Sequence, residues 1–229
     1  VTPVKIFLDS KAKSTSFKII NDSDEEVSIQ INTVEWRQDK DGADVYSDSE
    51  DVIAFPAMLK IDKGSERLVR VGYQAAFNPE AEKSYRLFLS EMPSNVSKAE
   101  DSQEVKLLLR VSMPVFVGPA NTAFRLEAKE PVLKNRAVAI ILKNTGNKHL
   151  VLSKIMAEGF DETEAKVFSV EVSGWYILPG RERLYLIAVP EEGCPKAKTI
   201  KIDALVDYGT PHPLGKISVD AAGCVKTTD

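Results

Sequence analysis

The sequence predicts an all-β protein built from two copies of one sandwich. Three observations carry this. Short runs of β-branched and aromatic residues recur between clusters of turn formers, at intervals of about 8–12 residues. Helical periodicity is nowhere sustained beyond about two turns. The second half also repeats local patterns of the first.

The elements follow in order. Phe17-Lys18-Ile19-Ile20 and Val27-Ser28-Ile29-Gln30-Ile31 flank the polar cluster Asn21–Glu26, which predicts a hairpin. Val34-Glu35-Trp36-Arg37 continues as a strand, and Asp41-Gly42 turns the chain with left-handed geometry. Ile61-Asp62-Lys63-Gly64 leading into Leu68-Val69-Arg70-Val71 is matched by Ile177-Leu178-Pro179-Gly180 leading into Leu184-Tyr185-Leu186-Ile187. The two glycines are 116 positions apart (180 − 64). Ile19-Ile20-Asn21-Asp22 is likewise matched by Leu142-Lys143-Asn144-Thr145, with the asparagines 123 apart (144 − 21). Both offsets are close to half of the 229 residues, so two domains are expected. The breakers Gly118-Pro119-Ala120-Asn121-Thr122 place the boundary between 1–119 and 120–229.

Composition narrows function by exclusion. Apolar residues make up 43% of the chain, enough for two cores, and charged residues 28%. The formal net charge is −4, which argues against a nucleic-acid partner. Apolar runs are strand-sized, so no membrane insertion is expected. A chain starting at Val1 fits a mature, processed protein, and a trimmed chain would look the same. His149 and His212 stand far apart with no metal-binding spacing, so neither a metal nor a cofactor is expected. A hydrolase would need a nucleophile and base, yet neither histidine lies near a G-x-S-x-G turn; an enzyme is not expected. Cys194 and Cys224 make no CxxC motif or zinc set. They read as one structural disulfide, with two buried free thiols as the alternative.

One predicted strand is unusually long, covering 105–117. Its odd positions are Val105, Leu107, Leu109, Val111, Met113, Val115 and Val117, all apolar. The even positions include Lys106 and Arg110. An ordinary central strand with one buried face would show this pattern. So would a strand whose edge is offered to a partner. The polar stretch Met92–Glu104 before it reads as a mobile loop.

Taken together, the segments Thr2-Pro3-Val4-Lys5-Ile6-Phe7-Leu8-Asp9, Val34-Glu35-Trp36-Arg37, Phe55-Pro56-Ala57-Met58-Leu59-Lys60-Ile61, Leu68-Val69-Arg70-Val71, Tyr85-Arg86-Leu87-Phe88-Leu89-Ser90-Glu91-Met92-Pro93, the 105–117 strand and Asp207-Tyr208-Gly209 resemble the periplasmic pilus-assembly chaperones of the chaperone–usher type. Trp36-Arg37, Tyr85–Phe88 and Pro114–Phe116 resemble the archaic branch most. The resemblance implies two immunoglobulin-like domains in an L or boomerang arrangement. It also implies a periplasmic location, incomplete pilin subunits as cargo and an outer-membrane usher as the delivery partner. The chaperone would lend its edge strand to the subunit's open groove, with Val105, Leu107, Leu109, Val111 and Met113 filling it. Self-association of the free chain could hide that strand. The alternative is a pair of tandem immunoglobulin-like domains acting as an adhesin or receptor fragment through its loops.

The resemblance further implies a cationic anchor for the subunit's C-terminal carboxylate. Lys5 falls at one family position. The other family position, a lysine in the donor strand, is Pro114 here, so Arg86 and Arg110 are the candidate replacements. An internal charge network in the family includes the aspartate of Asp207-Tyr208-Gly209. Its usual arginine partner corresponds to Gly118 here, leaving Arg70 as candidate. In an oxidising compartment the 194–224 disulfide would hold the last strand in place.

Overall fold

A computed structural model describes residues 1–77, 80–93, 107–119, 121–207, 209, 211–220 and 222–225. The chain divides into two compact units. One holds Val1–Arg37 and Val45–Asn121; the other holds Gln38–Asp44 and Thr122–Asp229. Apart from one short 3-10 turn at Cys194–Lys196, all the regular elements among the described residues are strands.

The first unit contains β1 (Ile6–Leu8), β2 (Ser14–Ile20), β3 (Val27–Gln38), β4 (Asp44–Asp48), β5 (Val52–Phe55), β6 (Met58–Ile61), β7 (Glu66–Tyr73), β8 (Lys83–Met92) and β9 (Arg110–Val117), save the terminal Gln38 of β3 and Asp44 of β4, which group with the second. One sheet runs β1-β9-β8-β3-β4 with β6 also on β3; the other runs β2-β7-β5. Period-two alternation turns Phe17, Ile19, Val69, Val71, Leu87 and Val115 into the space between them, where all are buried in one cluster. Tyr85 reaches the rim of this core, and its hydroxyl donates to Asp51 Oδ2 at 2.7 Å. Burial, then the Asp51 carboxylate, pushes its ionisation well above the usual tyrosine range.

The second unit contains β10 (Leu126–Ala128), β11 (Val132–Lys134), β12 (Ala137–Asn144), β13 (Leu150–Phe160), β14 (Lys166–Ser173), β15 (Tyr176–Ile177), β16 (Glu182–Ala188), β17 (Thr199–Val206) and β18 (Pro211–Ser218). One sheet is β10-β12-β11 with β16 also paired to β12, and the other is β14-β13-β17-β18 with β15 on β13. Val138, Ile140, Leu142, Ile155, Ile187, Ile200 and Ile202 fill the core.

The repeat seen in the sequence has a physical basis. Asn21 Nδ2 donates to the carbonyls of Glu25 (2.8 Å) and Ile61 (3.0 Å), while its Oδ1 accepts the Ser23 N–H. Asn144 Nδ2 donates to the carbonyls of Lys148 (2.8 Å) and Ile177 (2.9 Å), while its Oδ1 accepts the Gly146 N–H. Each asparagine also sends its backbone N–H across to the residue after a left-handed glycine, Ser65 after Gly64 and Arg181 after Gly180. A buried amide satisfied by neighbouring carbonyls thus ties the end of one sheet to the other in both sandwiches.

The Asp41-Gly42 turn forms as predicted, with Gly42 at φ +78°. Its segment, 38–44, groups with the second unit rather than the first. Gln38 donates to the Tyr176 carbonyl (2.9 Å) and accepts the Leu178 N–H (3.0 Å); Arg183 donates to the Gly42 carbonyl (2.7 Å). A Cβ on residue 42 would lie 2.9 Å from the Glu182 carbonyl oxygen, so the close approach requires glycine.

Cys194 and Cys224 are joined in a disulfide, both within the second core. The bond spans 30 positions, and closing a loop of that size contributes about 3 kcal/mol in the chain-entropy model. Replacing both cysteines by serine is expected to lower the unfolding free energy by about 2–4 kcal/mol in urea titrations. A change below about 0.5 kcal/mol would show that the bond does not constrain the unfolded chain.

Candidate functional site

The feature that sets the first unit apart is the strand β9. On one side it pairs antiparallel with β8, from Ser90↔Arg110 to Lys83↔Val117. On the other it meets β1 in parallel, and only at Ile6↔Val115, Phe7↔Phe116 and Leu8↔Val117. Among the described residues, no strand pairs with that side ahead of Val115. The Glu91 N–H donates to the Leu109 carbonyl (2.8 Å), and the Leu109 N–H reaches the Glu91 carboxylate (3.3 Å). Leu109 therefore turns its backbone groups toward β8. By antiparallel alternation, Arg110 and Ser112 turn theirs outward, to the uncovered side. Pro114, which has no N–H to offer, falls at an outward position where the β8 ladder loses nothing.

The apolar stripe predicted from the sequence runs from buried to exposed along this strand. Val117, Val115 and Met113 lie in the first core. Beyond them Val111 is 44% exposed, Leu109 68% and Leu107 83%. The sandwich ends before the stripe does. Three predictions need correction or limit. Met113 was expected in a partner's groove; it is 1% exposed, because its side chain belongs to the packed core between the two sheets of the first unit. Among its described residues, the expected 13-residue strand is regular from Arg110 to Val117. Val105 and most of the Met92–Glu104 loop lie outside the described residues.

The candidate cations separate into two places. Arg86 pairs with Pro114 in register, and Lys5 immediately precedes the Ile6↔Val115 pair, so the two flank Pro114 on neighbouring strands. Arg86 is only 5% exposed, and its guanidinium lies 3.8 Å from the centre of the Trp36 ring. Trp36 in turn packs on Phe116 (6.1 Å between centroids), and Phe116 on Phe7 (5.6 Å). This platform was not foreseen; Trp36 and Arg86 are 50 positions apart, and only the β3–β8 register, Val34↔Arg86, brings them together. Arg110 is four residues from Pro114, about 13 Å along the strand. It is exposed and stacks over Phe88 at 4.2 Å, beside a hollow lined by Tyr46 and Asp48.

Arg70 is exposed on β7 and donates to Ser14 Oγ (3.1 Å). Asp207 follows β17 with φ +49°, its N–H bonded to the Val151 carbonyl. His149 is buried beside the Tyr176 ring, and His212 is exposed on β18. Among the described residues, no group of three or more His, Cys, Asp or Glu side chains is placed to hold a metal, and no helix is long and apolar enough to cross a membrane.

Two sandwiches, one of which carries a partly uncovered strand edge, define the class to which comparison with known proteins also leads. Solved structures with this fold include the CsuC–CsuE chaperone–tip adhesion subunit pre-assembly complex from the archaic chaperone-usher Csu pili of Acinetobacter baumannii, at 19% identity and a TM-score of 0.62 over 93% of this chain and 94% of that one. The YadV chaperone matches at 14% identity and TM-score 0.63, over 94% and 96% of the two chains. The Salmonella enterica SafA pilin–SafB chaperone complex matches at 11% identity and TM-score 0.57, over 94% and 93%. No curated protein matches the chain. The family model for the pili and flagellar-assembly chaperones, PapD N-terminal domain, matches residues 1–123, and the chain belongs to that family of pilus-assembly chaperones.

Proposed function

We propose that this chaperone holds incomplete pilin subunits in the periplasm by donor-strand complementation and passes them to an outer-membrane usher. The observation that carries the reading is the exposed stripe Leu107, Leu109 and Val111, continuing a buried core face along an uncovered strand edge. A subunit that lacks a strand offers the complement of both features. Its open backbone groups pair with those of Arg110 and Ser112, and its apolar groove takes the odd-numbered side chains, with Val105 extending the series.

The subunit's C-terminal carboxylate is placed over Pro114, between Lys5 and Arg86. With one face of the Arg86 guanidinium against Trp36, a carboxylate meets its N–H edge, the geometry that favours two parallel bonds. Met113 belongs to the chaperone's own core in this scheme, and Arg110 acts away from the anchor. Arg70 donates to Ser14 Oγ and is not carried forward as the partner of Asp207. All of the work is binding, so no catalytic group enters.

The test is recovery from periplasm. The chaperone is expected to co-purify in equal amounts with a small β-rich subunit, identified by mass spectrometry. Recovery of the chain alone from cells that are assembling pili would overturn the reading.

A further inference from the structure

The outer face of the β12 sheet is apolar where a solvated sheet face is normally polar. Ala137, Ala139, Ile141 and Lys143 alternate with the core residues of β12 and point outward. The register places Ala188, Leu186, Leu184 and Glu182 beside them on β16. On the other flank lie Lys134 and Val132 of β11, then Lys129 and Glu127. Val132, Leu184 and Leu186 are each more than half exposed. Glu182 pairs with Lys129 at 3.1 Å and closes the patch at one end; Lys134 stands at the other.

We propose that this face joins two copies of the chain, packed sheet to sheet about a two-fold axis that runs across the strands at the level of Ile140. The face is complementary to itself under that operation. The Ala139 level of one copy meets the Ile141 level of the other, so a small side chain lies against a large one. Leu186 meets Leu184 of the second copy, and Val132 lies on the aliphatic stem of its Lys129. Lys134 meets Glu127, whose carboxylate is steadied by the Thr145 hydroxyl at 3.0 Å. Aligned sheet packing at about 10 Å needs no change of backbone. The apolar patch covers a few hundred Å² on each copy. With its rim, the pair buries about 1,000–1,200 Å², the low end for a specific contact, so a weak, concentration-dependent pairing is expected. All of these residues belong to the second unit, so the uncovered edge of β9 takes no part.

Sedimentation equilibrium of the full chain, from about 1 to 300 µM, tests this. A concentration-dependent dimer is expected. Leu186→Lys weakens it at least about tenfold, and Lys134→Glu and Glu127→Lys each weaken it about three- to tenfold. The combined Lys134→Glu/Glu127→Lys variant restores it. Exposed positions should tolerate these changes, and circular dichroism checks each fold. A chain that stays monomeric throughout overturns the proposal. Failure of the double reversal to restore the dimer overturns the two-fold arrangement. A dimer broken by Leu107→Asp and untouched by Leu186→Lys places the contact at β9 instead, and the proposal falls.

Discussion

Leu107→Asp and Leu109→Asp are each expected to end subunit recovery while leaving the chaperone folded. Both side chains are exposed in the free chain, so an aspartate there costs it little. In the complex each leucine is buried, and losing that contributes about 1.5–3 kcal/mol. An unpaired carboxylate in an apolar groove costs several kcal/mol more. Together these exceed about 4 kcal/mol, a loss near a thousandfold. Ser112→Thr alters the opposite face and should leave recovery within about twofold. Met113→Asp is the informative contrast, because that side chain is in the chaperone's own core and its replacement should unfold the first unit. The readouts are subunit recovered per mole of chaperone and the circular-dichroism spectrum of each variant. A folded Leu107→Asp chaperone that still captures subunit would remove β9 from the mechanism.

The difference between Leu107 and Met113 also marks where the sequence stops being legible. Alternation along 105–117 shows that one face is apolar, and that much was read correctly. It cannot show where cover ends, because cover comes from the facing strands β2, β5 and β7 and from Ile6 and Leu8, all distant in sequence. The repeat was legible for a different reason. Asn21 and Asn144 each solve the same local problem, two carbonyls and an N–H left by a turn, so the residues that solve it recur in order. The Trp36–Arg86 stack depends on strand register, and a register slip of one would put the ring and the cation on opposite faces. The grouping of 38–44 with the second unit depends on Gln38 and Gly42 meeting Tyr176, Leu178 and Arg183. Nothing in the Asp-Gly turn itself specifies that partner. Local hydrogen-bond chemistry was therefore readable, and pairings set by register or long-range packing were not.

Arg86→Ala is expected to lower subunit capture about 10- to 150-fold, the value of a charge-assisted hydrogen bond of about 1.5–3 kcal/mol. Lys5→Ala should cost about tenfold, since a partly buried lysine offers a single point charge rather than a fork. Arg110→Ala should change capture less than about twofold, being about 13 Å along the strand from Pro114. Arg86 is also packed against Trp36, so its loss could lower capture merely by loosening β8. Two measurements separate these effects. The first is Arg86→Lys, which keeps the charge but gives up the planar stack and the fork; intermediate capture is expected. The second moves the ligand instead of the protein. One extra C-terminal glycine on the co-purified subunit shifts its carboxylate by about 3.3 Å. Against the unaltered chaperone this should cost as much as Arg86→Ala, and against the Arg86→Ala variant it should cost nothing further. If the added glycine costs the same in both backgrounds, Arg86 is a packing residue, and the carboxylate is held by other groups.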